Sequence, residues 1–187
     1  MKLICIGNSI VNGFPYDRSD SFPAILADGL NCTVVNKGVN GQSTDQVLER
    51  FDRDALSKDP DKVLLLTGAN DFMFDINTPA EAMENIAAML HKTAAAGAEP
   101  IAATPLLTDP ELAKERWMPE LNIDYGKVNE DLQTLSKLIK AHCEKAGIRV
   151  IDTQERYADI AEYCDGVHPT QDGYHKLANI LTRELRG

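Results

Sequence analysis

Leu3-Ile4-Cys5-Ile6-Gly7-Asn8-Ser9-Ile10-Val11-Asn12-Gly13, near the amino terminus, is the stretch whose reading decides the fold. Residues 3–6 are an apolar, β-branched run that reads as a buried strand. Gly7 ends the strand, and a serine follows at the turn into the next helix. A serine at such a junction is displayed at the carboxyl edge of a parallel sheet, where open α/β folds bind ligands. The octet from Ile6 to Gly13 also fits a purely structural role, because Asn8 and Ser9 are both favoured helix N-caps.

Working outward, the same strand-then-helix unit recurs. Residues 32–36 form a second β-branched run and lead into the glycine-bearing loop Lys37-Gly38-Val39-Asn40-Gly41-Gln42. Residues 62–67 are continuously apolar, as a strand buried on both faces requires, and end in Gly68-Ala69-Asn70-Asp71. Residues 100–104 and 148–151 supply a fourth and a fifth strand. The intervening segments carry helix signals. Ser21 precedes Phe22-Pro23, while Ser43 to Gln46 and Thr78 to Glu81 are capping boxes. Val128, Leu132, Leu135, Leu138 and Ile139 form one stripe of a long helix, a short helix is expected over residues 157–161, and Thr170 caps the last one.

Alternation of five strands with helices predicts a three-layer α/β/α sandwich with a parallel sheet, and by analogy with the flavodoxin-like arrangement the expected strand order is 2-1-3-4-5. That order sets the ends of strands 1, 2 and 3 side by side. The 187 residues are expected to form one domain. Residues 106–123, with Pro110, Pro119 and the only tryptophan, interrupt the pattern and read as an inserted loop with a helical turn near the active edge.

Composition narrows the function classes. The chain is 43% hydrophobic and 26% charged, as in soluble globular proteins. Its 19 Lys and Arg against 29 Asp and Glu leave a formal net charge of −10, which argues against nucleic acid or an anionic membrane surface as partner. No apolar run approaches a membrane span. The four cysteines are scattered, with no Cys-x-x-Cys pair, and the first residues lack a secretory signal pattern, so free thiols in a reducing cytoplasm are expected.

Three loops at one predicted sheet edge carry Ser9, Gly41 and Asn70, and the segment from Asp165 to His168 enters after strand 5. Acyl transfer needs a nucleophile, a base, a group that orients the base, and donors for the oxyanion. His168 is the natural base, Asp165 its orienting partner, and the N–H groups of Ser9 and Gly41 with the Asn70 amide are candidate donors. Gly7-Asn8-Ser9-Ile10, Gly41 within residues 36–44, Gly68-Ala69-Asn70-Asp71 and Asp165-Gly166-Val167-His168-Pro169 together resemble the four blocks of the SGNH (GDSL-type) hydrolase family. The resemblance implies a serine esterase or lipase-like hydrolase acting on a small-molecule ester, with no metal and no cofactor. It implies Ser9 as nucleophile, Gly41 and Asn70 as oxyanion donors, and Asp165 and His168 as the rest of the triad. Asn8 departs from the aspartate usual in the first block.

Other readings stay open at the level of residues. Asn70 can cap or turn the chain, Gly41 can be an ordinary left-handed turn residue, and Asp165 with His168 can be a surface pair. A metal site would need Cys164 or His175 beside them. The same triad also suits a thioesterase or an acyltransferase, and a flavodoxin-like phosphate-binding module is the alternative from another class. Residues 116–118 and 14–20 are expected to line the pocket, with Phe72, Met73 and Phe74 either rimming it or packed beneath the next helix. Trp117 is expected to cover apolar surface, Cys5 to pack in the core, and His91 and His142 to have no catalytic role, His142 being favoured as a cation near its helix end.

Overall fold

The computed structural model describes residues 1–159 and 161–186. Five strands, β1 (Lys2–Gly7), β2 (Thr33–Gly38), β3 (Lys62–Leu66), β4 (Glu99–Ala103) and β5 (Arg149–Ile151), alternate with helices. The helices are α1 (Ser9–Asn12), α2 (Phe22–Leu30), α3 (Thr44–Glu49), α4 (Phe51–Asp54), α5 (Ala69–Met73), α6 (Pro79–Ala95), α7 (Pro110–Arg116), α8 (Tyr125–Ala146), α9 (Thr153–Ala158) and α10 (Gln171–Arg186). The sheet is parallel throughout, as the alternating pattern predicts, and its order is β2-β1-β3-β4-β5, as expected by analogy with the flavodoxin-like arrangement.

Alternate strand residues feed two cores, one on each face. Ile4, Ile6, Val63, Leu65 and Ala102 pack against α3–α6 and α8. Leu3, Cys5, Leu64, Leu66, Ile101 and Ala103 pack against α1, α2, α9 and α10. Because both faces are covered, the strands read as continuous apolar runs rather than alternating ones.

Register sets the geometry of the functional edge. Gly7 pairs with Gly38 on one side and with Leu66 on the other, so the first three strands end level. The approach is close enough to demand glycine. A Cβ on Gly7 would lie 1.9 Å from the Leu66 carbonyl oxygen, and one on Gly38 would lie 2.1 Å from the Asn12 nitrogen.

Several local expectations are corrected. The segment over residues 106–123 is more ordered than a loop with one turn. Asp109 accepts a hydrogen bond from Leu112 N, Pro110 occupies the first helical turn, and α7 runs for seven residues before a 3₁₀ turn at Pro119–Leu121. The short helix begins four residues earlier than expected, at Thr153, because Asp152 caps it by accepting from Glu155 N at 3.2 Å. Ile160, inside the expected range, lies outside the described residues. On α8 the buried face is Val128, Leu132, Leu135, Ile139 and Cys143, whereas Leu138 is 37% exposed. It sits one residue, or 100°, off the stripe.

Candidate active site

The first turn of α1 separates the two roles that the sequence left overlapping. Asn8, 3% exposed, is the N-cap, its Oδ1 accepting from Ile10 N at 3.3 Å. Ser9 is therefore not needed as a cap, and its hydroxyl lies 2.9 Å from His168 Nε2. His168 Nδ1 is in turn 2.8 Å from Asp165 Oδ2. Hydroxyl, imidazole and carboxylate form one buried relay, through which the imidazole can take the hydroxyl's proton while the carboxylate fixes its tautomer.

Asp165 is held as firmly as it holds. Its other oxygen accepts from Val167 N at 2.9 Å and His168 N at 2.7 Å, closing a tight turn. Burial by itself raises this carboxyl's pKa, but the hydrogen bond and charge of His168, with the two backbone donors, override it and keep Asp165 below the usual carboxylate range. Gly166 allows the turn to sit against the inserted segment: it has φ +87°, and a Cβ there would lie 2.2 Å from Ala113 N. Its carbonyl accepts from Asp109 N at 2.8 Å, and the insertion thus braces the acid–base loop.

The loops after β2 and β3 complete the edge. Gly41 adopts a left-handed φ of +77°. Among the described residues, the N–H groups of Ser9 and Gly41 have no protein acceptor. Asn70 donates one amide hydrogen to Gln42 O at 2.8 Å, which leaves the second for a ligand. Asp71 locks the two loops together, accepting from Thr44 N at 3.0 Å, Thr44 Oγ1 at 2.6 Å and Asn77 Nδ2 at 2.7 Å. Burial pushes its carboxyl up, and these donors offset only part of that.

Ser9, Asn40, Gly41, Asn70 and His168 share one cavity of about 210 Å³, walled by Phe14, Phe74, Trp117 and Met118. Trp117 and Phe14 stand edge-on to the His168 ring, at centroid distances of 4.6 and 4.7 Å, and leave it 1% exposed. Three larger open clefts beside α8, of about 350, 390 and 420 Å³, include neither Ser9 nor His168.

All five expected residues thus meet at one edge. Of the expected lining, Trp117, Met118 and Phe14 face the cavity, whereas Arg116 is exposed. Phe72 and Met73 are buried in the core and only Phe74 reaches the cavity. Trp117 does more than cover apolar surface, since it packs on the imidazole. Both ring nitrogens of His168 are engaged, and Cys164 points its thiol to the His168 carbonyl, so these groups do not converge on a metal. His142 is not favoured as a cation: burial and the neighbouring His91 ring, 5.1 Å away, lower its pKa. The sequence reading missed Asn40, which lines the cavity, and Asp71, which locks the loops, although they lie inside the second and third blocks.

Against this geometry, the sequence pattern of the GDSL-like lipase/acylhydrolase family matches residues 5–176, and the chain belongs to that family. It is 26% identical to an acetylxylan esterase of Xylanibacter ruminicola, aligned over 100% of this chain but 43% of that longer protein. It is 26% identical to an arylesterase of Vibrio mimicus, over 98% of this chain and 88% of that protein. The crystal structure of a lipase/acylhydrolase from Enterococcus faecalis superimposes with a TM-score of 0.83 at 26% identity, covering 100% of this chain and 95% of the other. Family and relatives together mark an ester hydrolase of the SGNH type. No helix among the described residues is long and apolar enough to cross a membrane.

Proposed function

We propose that this ester hydrolase cleaves small carboxylic esters with short acyl groups, through an acyl-enzyme on Ser9. The observation that carries the reading is the unbroken relay from Ser9 Oγ through His168 to Asp165, opening into a cavity with apolar walls. Ser9 Oγ attacks the ester carbonyl carbon while His168 Nε2 takes its proton. The carbonyl oxygen becomes an oxyanion held by the N–H groups of Ser9 and Gly41 and the free amide hydrogen of Asn70. The bond to the alkoxy oxygen breaks, and the alcohol leaves with the proton from His168. Water then gives a proton to His168 and attacks the acyl carbon, and the acid departs as the proton returns to Ser9. Asp165 accepts from Nδ1 throughout and stays ionised.

Cavity size supports a small substrate. At roughly 30 Å³ for each water-sized group, 210 Å³ holds about seven non-hydrogen groups. An ester linkage with an acetyl to butyryl chain fits that space. Residues 1–187 serve in this reading as one catalytic domain, with the segment over 106–123 supplying the cavity wall. The four free cysteines support a reducing compartment such as the cytoplasm.

Covalent labelling with a fluorophosphonate probe tests the assignment. Wild-type protein should take one label, and Ser9→Ala none. Equal labelling of the two, or no labelling of folded wild type, refutes Ser9 as nucleophile. A ladder of p-nitrophenyl esters should show kcat/KM falling beyond butyrate, and a preference for octanoate would refute the short-acyl reading.

A further inference from the structure

A buried cation sits behind the site and touches none of the reacting groups. Arg50 follows α3 and is 6% exposed. Its guanidinium spreads over three acceptors: Nη2 donates to Gly7 O at 2.9 Å, Nε to Gln42 Oε1 at 2.5 Å, and Nη1 to Asp54 Oδ2 at 3.2 Å. One of these closes β1 just before Ser9, and another lies in the loop that carries Gly41. Gly7 is the last residue of β1, two positions before Ser9, and its carbonyl is also held by Val39 N at 3.1 Å. Gln42 follows Gly41, and its backbone carbonyl is the acceptor that orients the Asn70 amide.

From these contacts we infer that Arg50 is the positioning residue of the oxyanion hole. Its side chain ties the end of β1 before Ser9 to the Gly41 loop and, through Gln42, sets the Asn70 amide. The inference rests on the reading of Ser9 and Asn70 given above and extends it to a residue outside the four family blocks. Burying a guanidinium carries a desolvation cost, which Asp54 and the two carbonyl-type acceptors offset. The planar fork of arginine is what the arrangement requires. Lysine brings the same charge on a single nitrogen and cannot serve acceptors in three directions at fixed angles. Oxyanion donors act only in a narrow geometry, and displacement of about 1 Å costs on the order of 10²-fold in rate.

The test measures p-nitrophenyl acetate hydrolysis by wild type, Arg50→Lys, Arg50→Met and Gln42→Leu, each normalised to folded protein by circular dichroism. Arg50→Met should lower kcat about 10- to 100-fold with KM within twofold, and Arg50→Lys should recover little of it. Gln42→Leu, which leaves the Gly7 contact intact, should lose a smaller share, and the double variant Arg50→Met/Gln42→Leu should fall no further than Arg50→Met. Affinity for a trifluoromethyl ketone, which places a tetrahedral oxyanion on Ser9, should weaken by the same factor as kcat/KM. A merely structural Arg50 would lower the melting temperature and leave kcat and ketone affinity per folded molecule unchanged, which overturns the inference. Should Arg50→Met fail to fold, wild-type kcat in both Arg50→Lys and Gln42→Leu overturns it equally. Active, labelled wild type with unaffected variants refutes this inference alone. Folded wild type that takes no fluorophosphonate refutes the reading of Ser9, and this inference with it.

Discussion

Replacing Asp165 with asparagine changes two atoms' chemistry and almost no volume, and the structure dictates how the new amide must lie. Oδ1 of Asp165 accepts from Val167 N at 2.9 Å and His168 N at 2.7 Å, and Oδ2 faces His168 Nδ1 at 2.8 Å. With its oxygen toward the backbone, the amide keeps both main-chain bonds and turns its NH₂ toward Nδ1. The reverse orientation leaves two N–H groups facing a donor, at about 1–3 kcal/mol each, or about 2–6 kcal/mol in all. The first orientation therefore wins. It makes Nδ1 an acceptor and moves the ring proton to Nε2, which then donates to Ser9 Oγ instead of accepting from it. Every hydrogen bond survives, but the relay runs backwards. A wrong-tautomer imidazole costs about 10⁴-fold in kcat in a serine protease, or about 5 kcal/mol of transition-state stabilisation. Asp165→Asn should accordingly lose on the order of 10⁴-fold in p-nitrophenyl acetate turnover and in fluorophosphonate labelling rate, with KM nearly unchanged and the protein folded at neutral pH. Retention of activity within tenfold of wild type would show that Asp165 does not set the tautomer.

The substitution also carries a pH signature. Asp165 titrates below its unfolded value, so its contribution to stability is present above the unfolded pKa and is lost as pH falls through the lower folded one. Asp165→Asn should remove that acid limb from denaturant midpoints measured across the range below pH 4.

Three further outcomes are expected. Asn70→Ala, which deletes a donor made useful only by the oxyanion, should cost about 2.7–4 kcal/mol in kcat with little change in KM, and a KM effect alone would make Asn70 a ground-state binder. Gly166→Ala places a methyl 2.2 Å from Ala113 N at φ +87°, so it should lower both the urea midpoint and kcat; an unchanged kcat would separate the acid–base loop from α7. His142 titrates below its ordinary value because of burial and His91, so its effect is absent above about pH 6.5 and destabilises as pH falls below it. His142→Gln should flatten that slope in urea titrations between pH 7 and 5, and an unaltered slope would place the effect elsewhere.

Much of the architecture was legible because its causes are local or periodic. The apolar runs of β1 and β3, and the capping boxes at Ser43 and Thr78, specify elements through hydrogen bonds and burial patterns within a few residues. Errors fell where a local signal was overruled or unread. Asp152 starts α9 early by accepting from Glu155 N, and Leu138 shares the composition of its stripe but not its angle.

The sequence by itself determined the class of fold and the five residues expected at the functional edge, because motif blocks placed after parallel strands must emerge at one end of the sheet, while the strand order came by analogy with flavodoxin-like folds. Tertiary structure alone decided which polar group does what. Asn8 takes the cap and frees Ser9, Trp117 and Phe14 close over His168, and Arg50 reaches from α3 to Gly7 and Gln42. Apart from the Asn8 cap, these are contacts between residues 8 to 154 positions apart, fixed by how helices dock on the sheet. No spacing along the chain encodes the angle at which a side chain arrives.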